Sequence, residues 1–167
     1  MNILIDDELK DIITEEWIGS VLNVIDPKML DNLTLKIIEP SKYDNHQDKI
    51  DSGKWDDEDV QREISRRRLL GFSPGPKEAE LHIRRAAWSF YTVRRDLVKA
   101  LYHEVYHAND PERNEDWRPG IWEHPVLNHP REVRARAYSY KIFRRLKDKR
   151  KIIMTNAQAL KKMVEES

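Results

Sequence analysis

Residues 97–107 read LVKALYHEVYH, and this stretch decides the interpretation of the whole chain. It contains the pattern HExxH, formed by His103, Glu104 and His107. Apolar side chains around it recur at helical spacing, which predicts a helix over residues 89–108. On such a helix His103 and His107 lie one above the other on the same face. Two imidazoles at that spacing can bind one metal ion, and Glu104 can reach a water molecule beside it.

Glu104 is predicted to lie on the apolar side of this helix, together with Leu97, Ala100 and Leu101. A buried carboxylate is unfavourable unless it is paired or takes part in chemistry. The alternative is a pair of ordinary surface histidines that match the pattern by chance. The position of Glu104 favours a functional site. Zinc is the expected metal, because imidazole and carboxylate ligands with an open fourth position are typical of catalytic zinc.

A catalytic zinc ion usually has three protein ligands, so a third ligand is expected beyond His107. His124 and His129 lie in, or at the end of, a proline-rich segment, and Glu132 lies in the first turn of the next predicted helix. An acidic residue there is also favoured by the helix dipole alone. The residues by themselves therefore leave three candidates open.

The remaining patterns predict a single α+β domain over residues 1–167. Alternation of apolar and polar residues predicts strands, and Pro or Gly marks the turns. The predicted elements, in order, are an amphipathic helix within 5–25, a strand within 32–40, a polar excursion over 41–60, a hairpin that pairs 67–72 with 79–85, the helix at 89–108, a loop over 109–128, a helix from Pro130 to about 148 and a last helix over 155–166.

HEVYH, followed by a loop and then PREVRARAY at 130–138, resembles the minimal zinc metallopeptidases of the gluzincin type. These include ImmA/IrrE-like and phage-encoded zincin-like peptidases, which carry HExxH and then a helix with a ligand glutamate. Pro130, Glu132 and Ala135 match the P-x-E-x-x-A segment of that helix. The resemblance covers about residues 67–145.

The resemblance implies a small zincin-like fold, in which a short sheet or hairpin packs on the HExxH helix and on a second helix that carries a ligand. It implies a zinc ion bound by His103, His107 and Glu132, and a peptidase in which Glu104 is the general base. A phage or mobile-element origin rests on the same resemblance. The third histidine of metzincins is absent, because AND follows His107, and residues 1–60 match nothing in the family.

Peptide hydrolysis also requires a donor that stabilises the oxyanion. Tyr138 and Tyr140 are the preferred candidates, because they follow Glu132 on the same predicted helix, although packing is the more ordinary role of a tyrosine. Asp110 can orient a histidine ligand by accepting a hydrogen bond from the ring nitrogen that does not bind the metal, although an ordinary loop role is the alternative. The segment AELHIRR at 79–85 is expected to be an edge strand that binds an extended peptide by strand addition.

The composition excludes several classes of site. The chain has no cysteine, which excludes disulfides, thiolate metal sites and a cysteine nucleophile. It has no apolar run long enough to span a membrane. The first residues lack the basic start and apolar core of a signal peptide. A cytoplasmic protein is therefore expected, in the host cytoplasm if phage-encoded, with a protein or peptide substrate and no membrane partner.

The charges are unevenly distributed. Residues 1–63 carry 7 basic and 17 acidic side chains, whereas residues 64–167 carry 23 and 13. Two alternatives to a peptidase follow. The protein could hold zinc without catalysis, as a structural or interaction component. It could also bind nucleic acid through its basic C-terminal half, which includes the cluster at 144–151.

Overall fold

A four-stranded sheet organises the fold. The structure is a computed structural model and describes residues 1–39, 69–110 and 130–154. The strands lie in the order β1-β2-β4-β3. β1, β2 and β4 are parallel to one another, and β3 pairs antiparallel with β4. The strands are β1 (Asn2–Ile5), β2 (Thr34–Ile38), β3 (Leu69–Phe72) and β4 (Glu78–Ile83).

Helices connect and cover these strands. The α-helices are α1 (Glu15–Leu22), α2 (Pro27–Leu30), α3 (Tyr91–Asn109), α4 (Pro130–Arg145) and α5 (Lys149–Met154). Two short 3₁₀ helices are also present, at Asp7–Leu9 and Arg85–Ser89.

Local chemistry explains where the first two α-helices begin. The Thr14 hydroxyl accepts a hydrogen bond from the Trp17 amide at 3.1 Å, which satisfies one of the free N–H groups at the start of α1. The Asp26 carboxylate accepts from the Lys28 amide at 3.0 Å, and Pro27 occupies the first position of α2. Both helix starts are therefore encoded locally.

The hydrophobic core lies between one face of the sheet and the helices. Helix α3 packs on β3 and β4, and α4 packs on the outside of α3. Along β2 and β4 alternate side chains point into this core, as the two-residue period of a strand requires. The strand residues of the core are Leu35, Ile37, Ala79, Leu81 and Ile83, and the α3 residues include Leu97, Val98, Leu101, Tyr102 and Val105.

The turn between β3 and β4 is joined to the end of α3. Lys77 has a left-handed backbone conformation, with φ of 58°. Its amide donates to the Ala108 carbonyl at 2.8 Å, and its ammonium group donates to the side chain of Asn109. Its carbonyl accepts from the Thr34 amide at 2.9 Å. One turn residue thus connects β2, the hairpin and the last turn of α3.

The last described helix is held by two side chains. The Trp17 indole donates to the Ile152 carbonyl at 2.9 Å. The Arg94 guanidinium donates to the carbonyls of Ile153 at 3.0 Å and Trp88 at 2.6 Å. Burial lowers the pKa of Arg94 from its ordinary value. These bonds fix α5 against α1 and the start of α3.

Several predictions are confirmed. Helices and a small sheet occur together, as the α+β prediction requires at this coarse level. The strand predicted within 32–40 is β2, and the predicted hairpin is β3 and β4 with Leu70 opposite His82. The predicted helices at 89–108 and from Pro130 are α3 and α4. Among the described helices, none is long and apolar enough to cross a membrane.

Other predictions are wrong. The single helix expected within 5–25 is a 3₁₀ helix followed by α1, and the preceding strand β1 was not predicted. The segment 79–85 is not an edge strand, because β4 lies between β2 and β3. The polar excursion at 41–60 and the final helix at 155–166 lie outside the described residues.

Candidate metal centre

Three side chains meet between α3 and α4. The Nε2 atoms of His103 and His107 lie 3.1 Å apart. One oxygen of Glu132 lies 3.0 Å from Nε2 of His103, and the other lies 2.9 Å from Nε2 of His107. Among the described residues, this is the group of histidine and carboxylate side chains that is close enough to hold a metal ion. The structure therefore brings the implied ligand Glu132 to the two histidines.

The geometry of these three residues suits zinc. Tetrahedral bonds of about 2 Å place neighbouring ligand atoms about 3.3 Å apart, close to the observed separations. The two Nε2 atoms are at hydrogen-bonding distance, so one ring can donate to the other, or both neutral rings can bind one metal ion. The side chains of His103 and Glu132 are 19% and 20% exposed, whereas that of His107 is 3% exposed. The cluster is thus partly open to solvent, as a fourth coordination position requires.

Helix geometry positions all three side chains. His103 and His107 are four residues apart on α3, so their rings share one face, with centroids 4.7 Å apart. Glu132 lies in the first turn of α4. The two helices pack closely at Ala135, which is fully buried, and the Ser139 hydroxyl donates to the Lys99 carbonyl at 2.7 Å. This packing brings Glu132 over the face of α3 that carries the histidines.

The charges of the cluster shift two pKa values. Burial opposes charge on His103, but its hydrogen bond with Glu132 and the charges of Glu104 and Glu132 outweigh burial and the repulsion from Arg136. The pKa of His103 is therefore raised. Burial alone would raise the pKa of Glu132, but hydrogen bonds from the two histidines and their charges hold that pKa well below its usual range. The charged forms of the His103 ring and of the Glu132 carboxylate therefore stabilise each other.

Glu104 is buried on α3 beside His103, with 5% of its surface exposed. This confirms the prediction that its carboxylate lies on the apolar side of the helix, with Leu97 and Leu101. Its charge is close enough to raise the pKa of His103. A carboxylate in this position can accept a proton from a water molecule held at the cluster.

Asp110 forms ion pairs with two arginines of α4, and its role in orienting a histidine stays a prediction. It is 7% exposed, and its carboxylate lies 3.5 Å from Arg131 and 3.4 Å from Arg134, which flank Glu132 on α4. These ion pairs join the end of α3 to the start of α4. Asp110 therefore positions the helix that carries Glu132. Sequence reasoning missed the two arginines, because their pairing crosses the segment 111–129.

The two preferred tyrosines have other contacts. The Tyr138 hydroxyl lies 3.2 Å from the Met29 sulfur, and burial raises the pKa of Tyr138. Tyr140 is 55% exposed, and its ring lies 5.3 Å from the Lys99 ammonium group. At about 1.5 Å per residue, Tyr140 is about 12 Å along the helix from Glu132. Tyr138 therefore packs against α2, whereas Tyr140 lies mostly in solvent, and we assign the oxyanion to neither of them.

The other two ligand candidates, His124 and His129, lie outside the described residues. Several of the described basic residues behind the nucleic-acid alternative make internal contacts, and Lys149 of the 144–151 cluster donates to the carbonyls of Arg144 and Leu146. Arg85 forms two hydrogen bonds with the carboxylate of Asp11, at 2.6 and 2.7 Å, and Arg94 binds backbone carbonyls. These arginines contribute to the fold, and their positive charge is already engaged.

The chain matches no known family model, no curated protein and no solved structure.

Proposed function

We propose that this protein is a zinc-dependent peptidase with a zincin-like fold, in which His103, His107 and Glu132 hold the metal and Glu104 is the general base. The observation that carries the proposal is the convergence of His103, His107 and Glu132 from two helices, with donor atoms about 3 Å apart. The donor set and its partial exposure match a catalytic zinc site.

When bound, zinc would polarise a substrate carbonyl and make a coordinated water more acidic. Glu104 then removes a proton from the attacking water and passes it to the nitrogen of the departing amine. Its position supports this role, because it is buried next to His103 on α3 and faces the cluster from one side.

Strand β3 is the better candidate for peptide binding than the segment 79–85 named from the sequence. Among the described strands, β3 and β1 form the edges of the sheet, and β3 packs directly on α3. An extended peptide can add to such an edge through backbone hydrogen bonds. A peptide bound in this way would lie beside Glu104, which is consistent with a protein or peptide substrate.

Two measurements on the purified full-length chain test the proposal. The chain is loaded with zinc, freed of excess metal and analysed by mass spectrometry, and it is then incubated with a degenerate peptide library. About one zinc per chain, together with zinc-dependent cleavage, supports the peptidase. Stoichiometric zinc without cleavage favours the non-catalytic alternative. A folded chain that takes up no zinc contradicts both, and salt-sensitive DNA binding would then be tested.

Zinc affinity should depend on pH. Because the pKa of His103 is raised and its ring must be neutral to bind a metal, zinc has to displace a proton. Below that raised pKa, we expect the apparent affinity to fall by about tenfold per pH unit for one displaced proton. The measurement is a zinc titration against a competing chelator at several pH values, with proton release followed in parallel. An affinity that stays constant while the pH is lowered would contradict the prediction.

A further inference from the structure

Gly71 lies against the side chain of the proposed general base. It is in β3, opposite Leu81, so it belongs to the face of the sheet that packs on α3. A Cβ atom built at Gly71 would lie 2.9 Å from both Cγ and Oε1 of Glu104. It would also lie 2.7 Å from Cδ2 of Leu81. Glu104 thus occupies the space that a side chain at position 71 would need.

Both neighbours are buried, since Leu81 is 0% exposed and Glu104 is 5% exposed, so neither side chain has free space to move into. The contact with Glu104 is the one that bears on the site, because Glu104 lies next to His103 on α3. The other two glycines within the described ranges lack this constraint. A Cβ atom at Gly75 would come no closer than 3.4 Å to Glu78, and one at Gly19 would meet nothing within 4 Å. Glycine is unfavourable within a strand, so its presence at position 71 has a local cause.

We propose that Gly71 is a positioning residue for Glu104. Without a side chain at position 71, the Glu104 carboxylate can lie directly against the backbone of β3 and remain beside the two histidines. This inference rests on the proposed function, because it assumes that Glu104 acts on a water at the metal. A larger residue would displace the carboxylate but leave His103, His107 and Glu132 in place.

The Gly71→Ala variant tests this inference in the cobalt-substituted protein, because the visible spectrum of cobalt reports on its coordination and on groups that hydrogen-bond to its ligands. We expect one cobalt ion per chain, as in the wild type, but a spectrum shifted in the same direction as that of Glu104→Ala. Zinc-dependent cleavage should fall by about 100-fold, the loss typical of a catalytic group misplaced by about 1 Å. Gly75→Ala is the matched control and should retain the wild-type spectrum.

Two further variants separate this effect from a packing defect. Gly71→Ala combined with Leu81→Ala removes the clash in the core and should still show the altered spectrum. If Gly71→Ala alone does not fold, it should fold when combined with Glu104→Ala; failure to fold in both backgrounds would overturn the inference. A wild-type spectrum and wild-type cleavage in Gly71→Ala would also overturn it.

A wild-type protein that binds no cobalt would instead refute the metal site, and one that binds cobalt but cleaves nothing would refute the peptidase.

Discussion

A Glu132→Gln variant should bind zinc more than about 100-fold more weakly than the wild type. Loss of a group that merely orients a ligand costs about 10- to 100-fold in affinity, and loss of a ligand should cost more. The amide keeps the size of the side chain but removes the negative charge that both histidines face at about 3 Å. Zinc should also cease to raise the melting temperature, because stabilisation by a ligand depends on its affinity for the folded state.

The affinity is measured by competition with a chelator of known strength, and the thermal shift provides an independent measurement. Glu16→Gln is the control, since Glu16 is an exposed carboxylate on α1, far from the cluster along the chain. If Glu132→Gln retained wild-type affinity, Glu132 would not be a ligand. His124→Ala and His129→Ala would then be the next variants to examine.

A Glu104→Gln variant should retain stoichiometric zinc but lose hydrolytic activity by about 10²- to 10⁴-fold in kcat, the range typical of a missing general base. Glutamine has nearly the same shape as glutamate, so it fills the space beside Gly71 and leaves the packing of α3 on β3 intact. Because the amide cannot accept the proton of the attacking water, the effect should fall on kcat and only weakly on KM.

The activity measurement uses a peptide recovered from the library, with zinc content determined on the same sample. Glu78→Gln replaces an exposed carboxylate on β4 and should behave as the wild type. Equal activity of the wild type and Glu104→Gln would exclude Glu104 as the base. Loss of zinc together with activity would instead show that Glu104 supports the metal site structurally.

The parts of the site that could be predicted from sequence are those encoded locally. The spacing of His103 and His107 follows from helix periodicity, and the burial of Glu104 follows from its place on the apolar stripe. The residues alone leave Glu132 as one of three candidate ligands, and only the resemblance of its helix to the gluzincin pattern favours it. Glu132 lies close to the histidines because α4 packs on α3, and no local sequence pattern encodes that packing.

The errors in the predicted fold also have physical causes. β1 has four residues, and its stability comes from parallel pairing with β2, more than 25 residues away along the chain. The apolar residues at the end of β1 therefore also fit the helical spacing that continues into α1, and this spacing wrongly predicted one long helix. The N-cap at Thr14 was the available sign that a new helix begins there. Likewise, Gly71 lies inside a predicted strand, and a glycine in such a place can indicate that another group packs closely against the backbone.

The bonds of Lys77 bear on how the site assembles. The hairpin turn and the last turn of α3 share hydrogen bonds, so β3, Glu104 and the two histidines belong to one structural unit that includes the sheet. Glu132 lies on a separate helix, α4, which is joined to this unit by packing on α3 and by the ion pairs of Asp110. At the proposed metal site, two of the three ligands would thus be fixed when the sheet and α3 fold, and the position of the third would depend on the packing of α4.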